Sequence, residues 1–509
     1  MSVSLKLALL ISACAFALYA WTAAPTLAWG GGDSAKLAIW VHRGEIGYAA
    51  ESHPLYVTLG RLFASLPLEG DLAYRLNLFS GFGAALAVGA MTLLCGEVTG
   101  SPFAAACAAG ALALSHTFWM HATLTEVYAL HLFLLLSALA CLLRWGRTGR
   151  DRDLCLSAFF VGAGVANHIL TVWALPGVVY FIGSRRKGQG TRVPFRLSPF
   201  PFPLWAGVGM AGCIGASPLL CALARGASQD GLWPAFRAAL GLGGAGHIVF
   251  NGTRIPLYIA YLFYQFPVAG FALGGVGLYA LFRQNRRVAH LLLLIGVPYL
   301  LFPVVWDFRD HYQFALSFYA CFAAGIAPGV CALRSRFPGR AVAALTLGLL
   351  LALPVAAYTA APALCRRLRI DPIRARTLPY RDNARYFLNP SRRGDDGARR
   401  YGTETLRAVA PNALIVGDYT PALILTYFQA AESLRRDVDI RFTVDVREQL
   451  RLIAEQIDRR PVYVATLESR TDLPIHLYLR RDALPPEYEV IPTPPVFRIV
   501  RNPSPVPSP

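Results

Sequence analysis

Apolar residues fall in long unbroken runs over the first two thirds of the chain and in short strand-like or helix-spaced groups over the last third. The runs cover 7–29, 74–95, 101–116, 124–144, 154–183, 201–224, 254–282, 288–306, 312–333 and 340–362. About 20 apolar residues, rising about 1.5 Å each, cross a hydrocarbon layer of about 30 Å. With 154–183 read as two short crossings broken near Asn167, the pattern predicts eleven transmembrane helices. The first outer loop, 30–73, behaves differently. Its pieces Lys36–His42 and Leu55–Leu66 carry apolar residues at helical spacing but are too short to span, so each is expected to lie in the interface.

Past Pro362 the hydropathy collapses into an Arg-rich segment, and from Asn412 a soluble pattern begins. ALIVGD, VDIRFTV and PVYVAT read as strands; PALILTYFQAAESL and REQLRLIAEQI read as helices. The expected fold class is therefore a polytopic α-helical membrane domain over 1–362 and a small α/β domain over 363–501. A Pro/Ser-rich tail over 502–509 is expected to be disordered.

Composition agrees with this picture and charge gives it a direction. The chain has 509 residues, 55% of them hydrophobic and 15% charged, too apolar for a soluble globular protein. With eleven spans, the loops on the side of Lys6 hold 16 Lys/Arg against 3 acids, as positive-inside anchoring requires. The formal charge of +18 is then a statement about topology, and no nucleic-acid partner is invoked. An odd number of spans places the α/β domain outside. None of the ten cysteines forms a CxxC or a Cys/His metal spacing, and none follows Cys365, so the outer domain has no disulfide framework. The first helix is expected to stay uncleaved. Together these features suit a bacterial cytoplasmic-membrane protein.

The same topology brings the ionisable groups to one face. Asp33, His53, Asn167, His168, Asp307 and Asp310 fall at the outer surface, with Glu126 near the outer end of its helix; polar groups in membranes are costly and commonly functional. Asp33 reads in two ways, as a helix N-cap after GG or as a carboxylate that deprotonates a hydroxyl at the membrane surface. Glu126 reads as a site-lining acid or as half of a structural pair. Asn167 and His168 read as site residues or as a satisfied polar pair. Asp307, Arg309, Asp310 and His311 include at least two residues of a solvated turn. Arg225, Arg237 and Arg254 follow residue 224 on the outer side, and any of them offers a bidentate fork to a lipid phosphate. His116, His121 and His131 lack the spacing of a metal-binding HExxH, and no metal site is expected.

The motifs in order are GGDS, then His53-Pro54 followed by Leu55-Tyr56, then Ser115, Thr117, Phe118 and Trp119 ahead of Glu126, Val127 and Tyr128. Gly164, Asn167, His168 and Pro176 come next. This series resembles the protein O-mannosyltransferase-like membrane proteins of the GT-C glycosyltransferases. Gly417, Asp418, Tyr427, Gln429, Glu432, Arg435, Asp437 and Val438 resemble the pattern that bacterial members carry after their last span. The resemblance implies transfer of a sugar from a polyprenyl-phosphate donor, with a mannose-like hexose favoured, to a hydroxyl on protein or envelope glycan at the outer face. It implies Asp33 as the base. Lys36, His53, Glu126, Asn167, His168 and Arg225 are assigned to donor or substrate binding. The reaction is expected to be inverting and metal-independent, with no cofactor beyond the lipid-linked donor. Two departures stand out: the family's DSGEL reads Asp33-Ser34-Ala35-Lys36-Leu37, replacing an acid by Lys36, and its HPPGYPLY is shortened to His53-Pro54-Leu55-Tyr56. The rival functions are a catalytically degenerate scaffold, for which Lys36 is the argument, and a transporter of lipid-linked sugars. Transporters commonly show internal repeats and midplane polar groups, neither of which is visible here.

Overall fold

The computed structural model describes residues 3–184, 202–241, 250–305, 311–370, 375–470 and 478–502. Asp307, Arg309 and Asp310, the basic loop over 185–196 and the tail over 503–509 lie outside them.

The helices of the membrane part are α1 (Val3–Thr22), α2 (Asp33–Arg43), α3 (Pro54–Ala64), α4 (Leu72–Thr99), α5 (Pro102–Ala113), α6 (His116–Ala122) and α7 (Tyr128–Thr148). They continue as α8 (Asp151–Asn167), α9 (Leu175–Ser184), α10 (Phe202–Gly215), α11 (Ser217–Asp230), α12 (Leu232–Ala239) and α13 (Arg254–Gln265). The last four are α14 (Ala269–Gln284), α15 (Arg286–Val305), α16 (Leu316–Arg336) and α17 (Arg340–Leu368). Among the described residues six of these, α1, α4, α7, α15, α17 and the α16 region, are long and apolar enough to cross a membrane, and the count reaches nine if each of three bent pairs is one span. The chain is an integral, multi-pass membrane protein.

The structure therefore does not carry the count of eleven. Every expected apolar run contains a helix, but several are bent: α5–α6 by 70°, α10–α11 by 72° and α13–α14 by 109°. The last bend falls at Phe266-Pro267-Val268, where proline cannot donate to the helical ladder. The first run is shorter than its hydropathy suggests. α1 stops at Thr22, and the apolar stretch Ala23–Trp29 continues as non-helical chain through Pro25. The break expected near Asn167 is present: α8 ends there, His168 is extended, and a 3-10 turn over Ile169–Ala174 leads into α9.

Helix ends follow local chemistry. Asp71 caps α4 by accepting from the Tyr74 N–H at 2.7 Å, and Ser101 caps α5 ahead of Pro102. Close helix crossings rest on small residues. A Cβ added to Gly277 of α14 would lie 1.7 Å from the Gly325 carbonyl oxygen of α16, an approach that only glycine permits.

Beyond α17 come α18 (Asn383–Leu388), α19 (Gly397–Ala408), β1 (Leu414–Gly417), α20 (Tyr419–Ala431), β2 (Asp439–Phe442), α21 (Val446–Gln456), β3 (Val462–Val464), β4 (Tyr488–Thr493) and β5 (Val496–Arg501). The three strands and two helices read from hydropathy are present. β4 and β5 are additional, an antiparallel hairpin that extends the sheet to the order β2-β1-β3-β5-β4, with β1 parallel to both β2 and β3.

The α/β domain does not hang free of the membrane part. Leu27, Trp29, Ala38, Val57 and Leu76 share one apolar core with Tyr401, Ile415, Ile424 and Phe428. Polar ties reinforce this seam: Arg399 Nη1 is 2.8 Å from both Asp71 Oδ2 and Glu432 Oε1, and the Thr26 hydroxyl also donates to Asp71. The first outer loop is thereby clamped between the membrane helices and the α/β domain.

Candidate active site

Three consecutive glycines, Gly30 to Gly32, all take positive φ (42°, 61° and 99°) and turn the chain sharply into α2. Asp33 is the first residue of that helix. Gly32, not Asp33, occupies the N-cap, so the capping reading of this aspartate fails and its carboxylate is engaged elsewhere. Tyr419, the first residue of α20, donates its hydroxyl to Asp33 Oδ1 at 2.8 Å, and Lys36 Nζ lies 3.4 Å from the same oxygen. The lysine ammonium also sits over the rings of Trp40 (4.9 Å) and Tyr419 (5.7 Å). Thr420 Oγ1 donates to the Gly31 carbonyl at 2.8 Å, fixing α20 against the glycine turn.

Glu126 reaches the site from another direction. It lies in the non-helical link ahead of α7 rather than inside a helix, and is only 4% exposed. The link is held firmly: Ser34 Oγ donates to the Thr125 carbonyl at 2.9 Å, Thr125 Oγ1 to Asn77 Oδ1 at 2.8 Å, and the Glu126 N–H to Ser80 Oγ at 3.1 Å. The Tyr419 phenol feels this grouping. Burial, the charge of Asp33 and the bond to it, and the charges of Glu126 and Glu51 all push its ionisation well above the ordinary tyrosine range.

His53 precedes Pro54 at the start of α3 in a left-handed conformation (φ 49°). Its Nδ1 bonds the Asn167 carbonyl at 2.8 Å, and its ring is 5.1 Å from that of His168. Burial lowers its pKa to about 4, the Asn167 carbonyl opposes that shift, Lys36 adds to it and Asp33 opposes it. The imidazole is therefore neutral at pH 7. The Asn167 amide donates to the Val127 carbonyl at 3.2 Å while its side-chain oxygen is buried and has no partner among the described residues. His168 Nδ1 accepts from the Leu170 N–H at 3.2 Å. Two small clefts meet at His168, one lined by His53, Asn167 and Ala239 and the other by Tyr128, His131, Tyr299 and Ser317.

Asp33 and Lys36 thus act electrostatically on His53, and Asp33 and Glu126 on Tyr419, while Asn167 and His168 join the group through His53. Arg225 stands apart, exposed on α11, next to Gly226, which packs on Tyr48. Sequence reasoning missed Tyr419, 386 residues from its partner and marked only by the Gly417-Asp418 motif before it. It weighed His131 only as a metal ligand; the structure has it bonding Thr171 and Ser317 at 3.2 Å each behind His168. Among the described residues no group of three or more His, Cys, Asp or Glu is arranged to hold a metal ion.

Residues 50–191, which carry His53, Glu126, Asn167 and His168, match the family described as protein O-mannosyl-transferase TMEM260 N-terminal domain. Over this segment the chain is similar to that family. The mouse (Mus musculus) protein O-mannosyl-transferase TMEM260 is 30% identical over 151 residues, which is 28% of this chain and 21% of that protein. The chain thus matches about a fifth of the length of this relative. Among solved structures, ArnT from Cupriavidus metallidurans bound to undecaprenyl phosphate aligns over 96% of this chain and 97% of its own, with a TM-score of 0.55 and 13% identity. The same protein in its apo state gives 0.51 over 89% and 91%, also at 13% identity. At that identity the likeness is one of fold, and it extends well beyond the family segment to include the α/β domain. The segment that matches the family model therefore sits inside a larger fold similar to that of ArnT.

Proposed function

We propose that the protein is a membrane glycosyltransferase that moves a sugar, foremost a mannose-like hexose, from a polyprenyl-phosphate carrier to a hydroxyl on a protein or envelope glycan. The observation that carries the reading is the setting of Asp33: a carboxylate at the start of an interfacial helix, beside Lys36 and bonded by Tyr419, with the link that bears Glu126 tied to the neighbouring Ser34. The name of the mouse relative and the undecaprenyl phosphate held by ArnT support the donor class.

In this mechanism Asp33 takes the proton of the acceptor hydroxyl as its oxygen attacks the anomeric carbon. The bond from that carbon to the phosphate oxygen breaks on the opposite face, so configuration inverts. Negative charge growing on the departing phosphate is met by Lys36, and Arg225, exposed on α11 away from Asp33, is assigned to the lipid headgroup. His53, Glu126, Asn167 and His168 line the donor side. The reading takes no resident metal or cofactor. It places the protein in a bacterial cytoplasmic membrane with the α/β domain outside, where it helps hold the acceptor.

One observation favours a second reading, a catalytically silent scaffold. Lys36 and Tyr419 both occupy Asp33 Oδ1. A single experiment separates the two. Purified wild type and Asp33→Asn are given radiolabelled polyprenyl-phosphate mannose, glucose and arabinose, and release of polyprenyl phosphate is followed. Release or transfer that Asp33→Asn abolishes with folding intact establishes the enzyme and its donor. Equal inertness of both proteins with every donor, while both bind lipid, establishes the scaffold.

A further inference from the structure

The geometry points to Tyr419 as a positioning residue for the base: supplied by the α/β domain, it pins one oxygen of Asp33 and leaves the other to the acceptor hydroxyl. This deepens the transferase reading and rests on it. Both groups that engage the carboxylate do so at Oδ1, Tyr419 at 2.8 Å and Lys36 at 3.4 Å, and among the described residues neither bonds Oδ2. The Asp33 side chain keeps 37% of its surface exposed, which leaves it accessible to a second molecule. A carboxylate held at one oxygen by two donors cannot turn freely about its terminal torsion, which fixes the direction from which a proton is taken.

The pinning is itself well supported. A Cβ added to Gly32 would lie 2.9 Å from the Tyr419 ring, so the phenol is seated directly on the glycine turn that launches α2. Thr420 anchors the neighbouring carbonyl. Tyr419 stands at the C-terminal end of parallel strand β1, the edge at which open α/β sheets present ligand-contacting groups. The α/β domain is therefore part of the site, beyond any role in gathering the acceptor.

The test uses the full chain in lipid nanodiscs. Tyr419→Phe keeps the ring on Gly32 and under Lys36 and removes only the hydroxyl. The expected result is a kcat for transfer lowered about 10- to 100-fold with the donor KM unchanged. Arg399→Met, which removes a tie between the domains at Asp71 without touching Asp33, is expected to lower thermal stability and to leave kcat within about twofold. A second readout needs no turnover. With 3-fluorotyrosine placed at 419, Asp33→Asn should move the fluorine resonance and lower the pH at which that phenol ionises, because the Asp33 charge and bond both hold it up. Equal kcat in Tyr419→Phe and wild type, or a resonance that Asp33→Asn does not move, overturns the positioning role while leaving the transferase reading standing. A wild type inert with every donor, with the resonance still responding to Asp33→Asn, overturns the transferase reading and the positioning role with it, and leaves only a contact between domains.

Discussion

His53 bonds the carbonyl of Asn167 through Nδ1 at 2.8 Å, joining the first outer loop to the break between α8 and the following turn across 114 residues of sequence. The bond requires a protonated Nδ1, which the neutral imidazole supplies as one of its two tautomers.

Stability should therefore fall with pH in a defined window. The His53 pKa is pushed from 6.5 down to about 4, so below pH 6.5 the unfolded chain takes up a proton that the folded chain refuses. The loss grows as pH falls from about 6.5 and is complete below about 4. His53 is partly exposed, which screens the effect to about 2–3 kcal/mol. Thermal unfolding of wild type and His53→Gln at pH 7 and pH 5 measures it: wild type should lose more stability than the variant over this interval, and parallel losses would refute the assignment.

Arg399 ties Asp71 of the first outer loop to Glu432 of the α/β domain, with a two-pronged contact to Glu432 at 2.8 and 3.1 Å. It is about one-third exposed, so water screens part of the attraction, and Arg399→Met should cost about 1–2 kcal/mol. The more telling readout is limited proteolysis of the segment between α17 and α18, which should quicken in the variant. An unchanged cleavage rate would mean that the shared apolar core alone holds the seam.

Asn77 is a fully buried junction. Its amide donates to the carbonyls of Ala24 and Thr26 at 2.9 Å each, and its oxygen accepts from Thr125. Asn77→Ala strands these partners in an apolar setting, for an expected loss of about 2–3 kcal/mol in thermal unfolding. Release of transferred sugar should fall as well, because the same residue fixes both the chain leading to Asp33 and the link bearing Glu126. A variant as stable as wild type would show that water replaces the amide.

The α14–α16 crossing offers a contrast within one helix. Gly277→Ala drives a methyl group into the Gly325 carbonyl oxygen, whereas a Cβ at Gly275 meets nothing within 4 Å. Overpacking of this kind costs about 1–3 kcal/mol or more. Detergent-solubilised Gly277→Ala should elute largely aggregated on size exclusion while Gly275→Ala elutes as wild type. Equal profiles would mean that the helices part without penalty.

Hydropathy by itself determined the membrane class, the short helices expected at Lys36–His42 and Leu55–Leu66, the break at Asn167 and the core strands and helices of the α/β domain. These depend on runs of like residues and on local backbone preference, which are written along the chain. The motifs led to Asp33, His53, Glu126 and His168 because acids and histidines are conspicuous where water gives way to lipid. The termination of α1 at Thr22, the bent helix pairs and the β4–β5 hairpin were decided by proline positions and by packing partners distant in sequence. So was the state of the site. Whether Asp33 caps its helix or offers its carboxylate, whether Lys36 turns toward it, and whether Tyr419 arrives from 386 residues away depend on how the α/β domain seats on the glycine turn. A hydrogen bond is specified by distance and angle between atoms, and for residues so far apart only the folded chain fixes either.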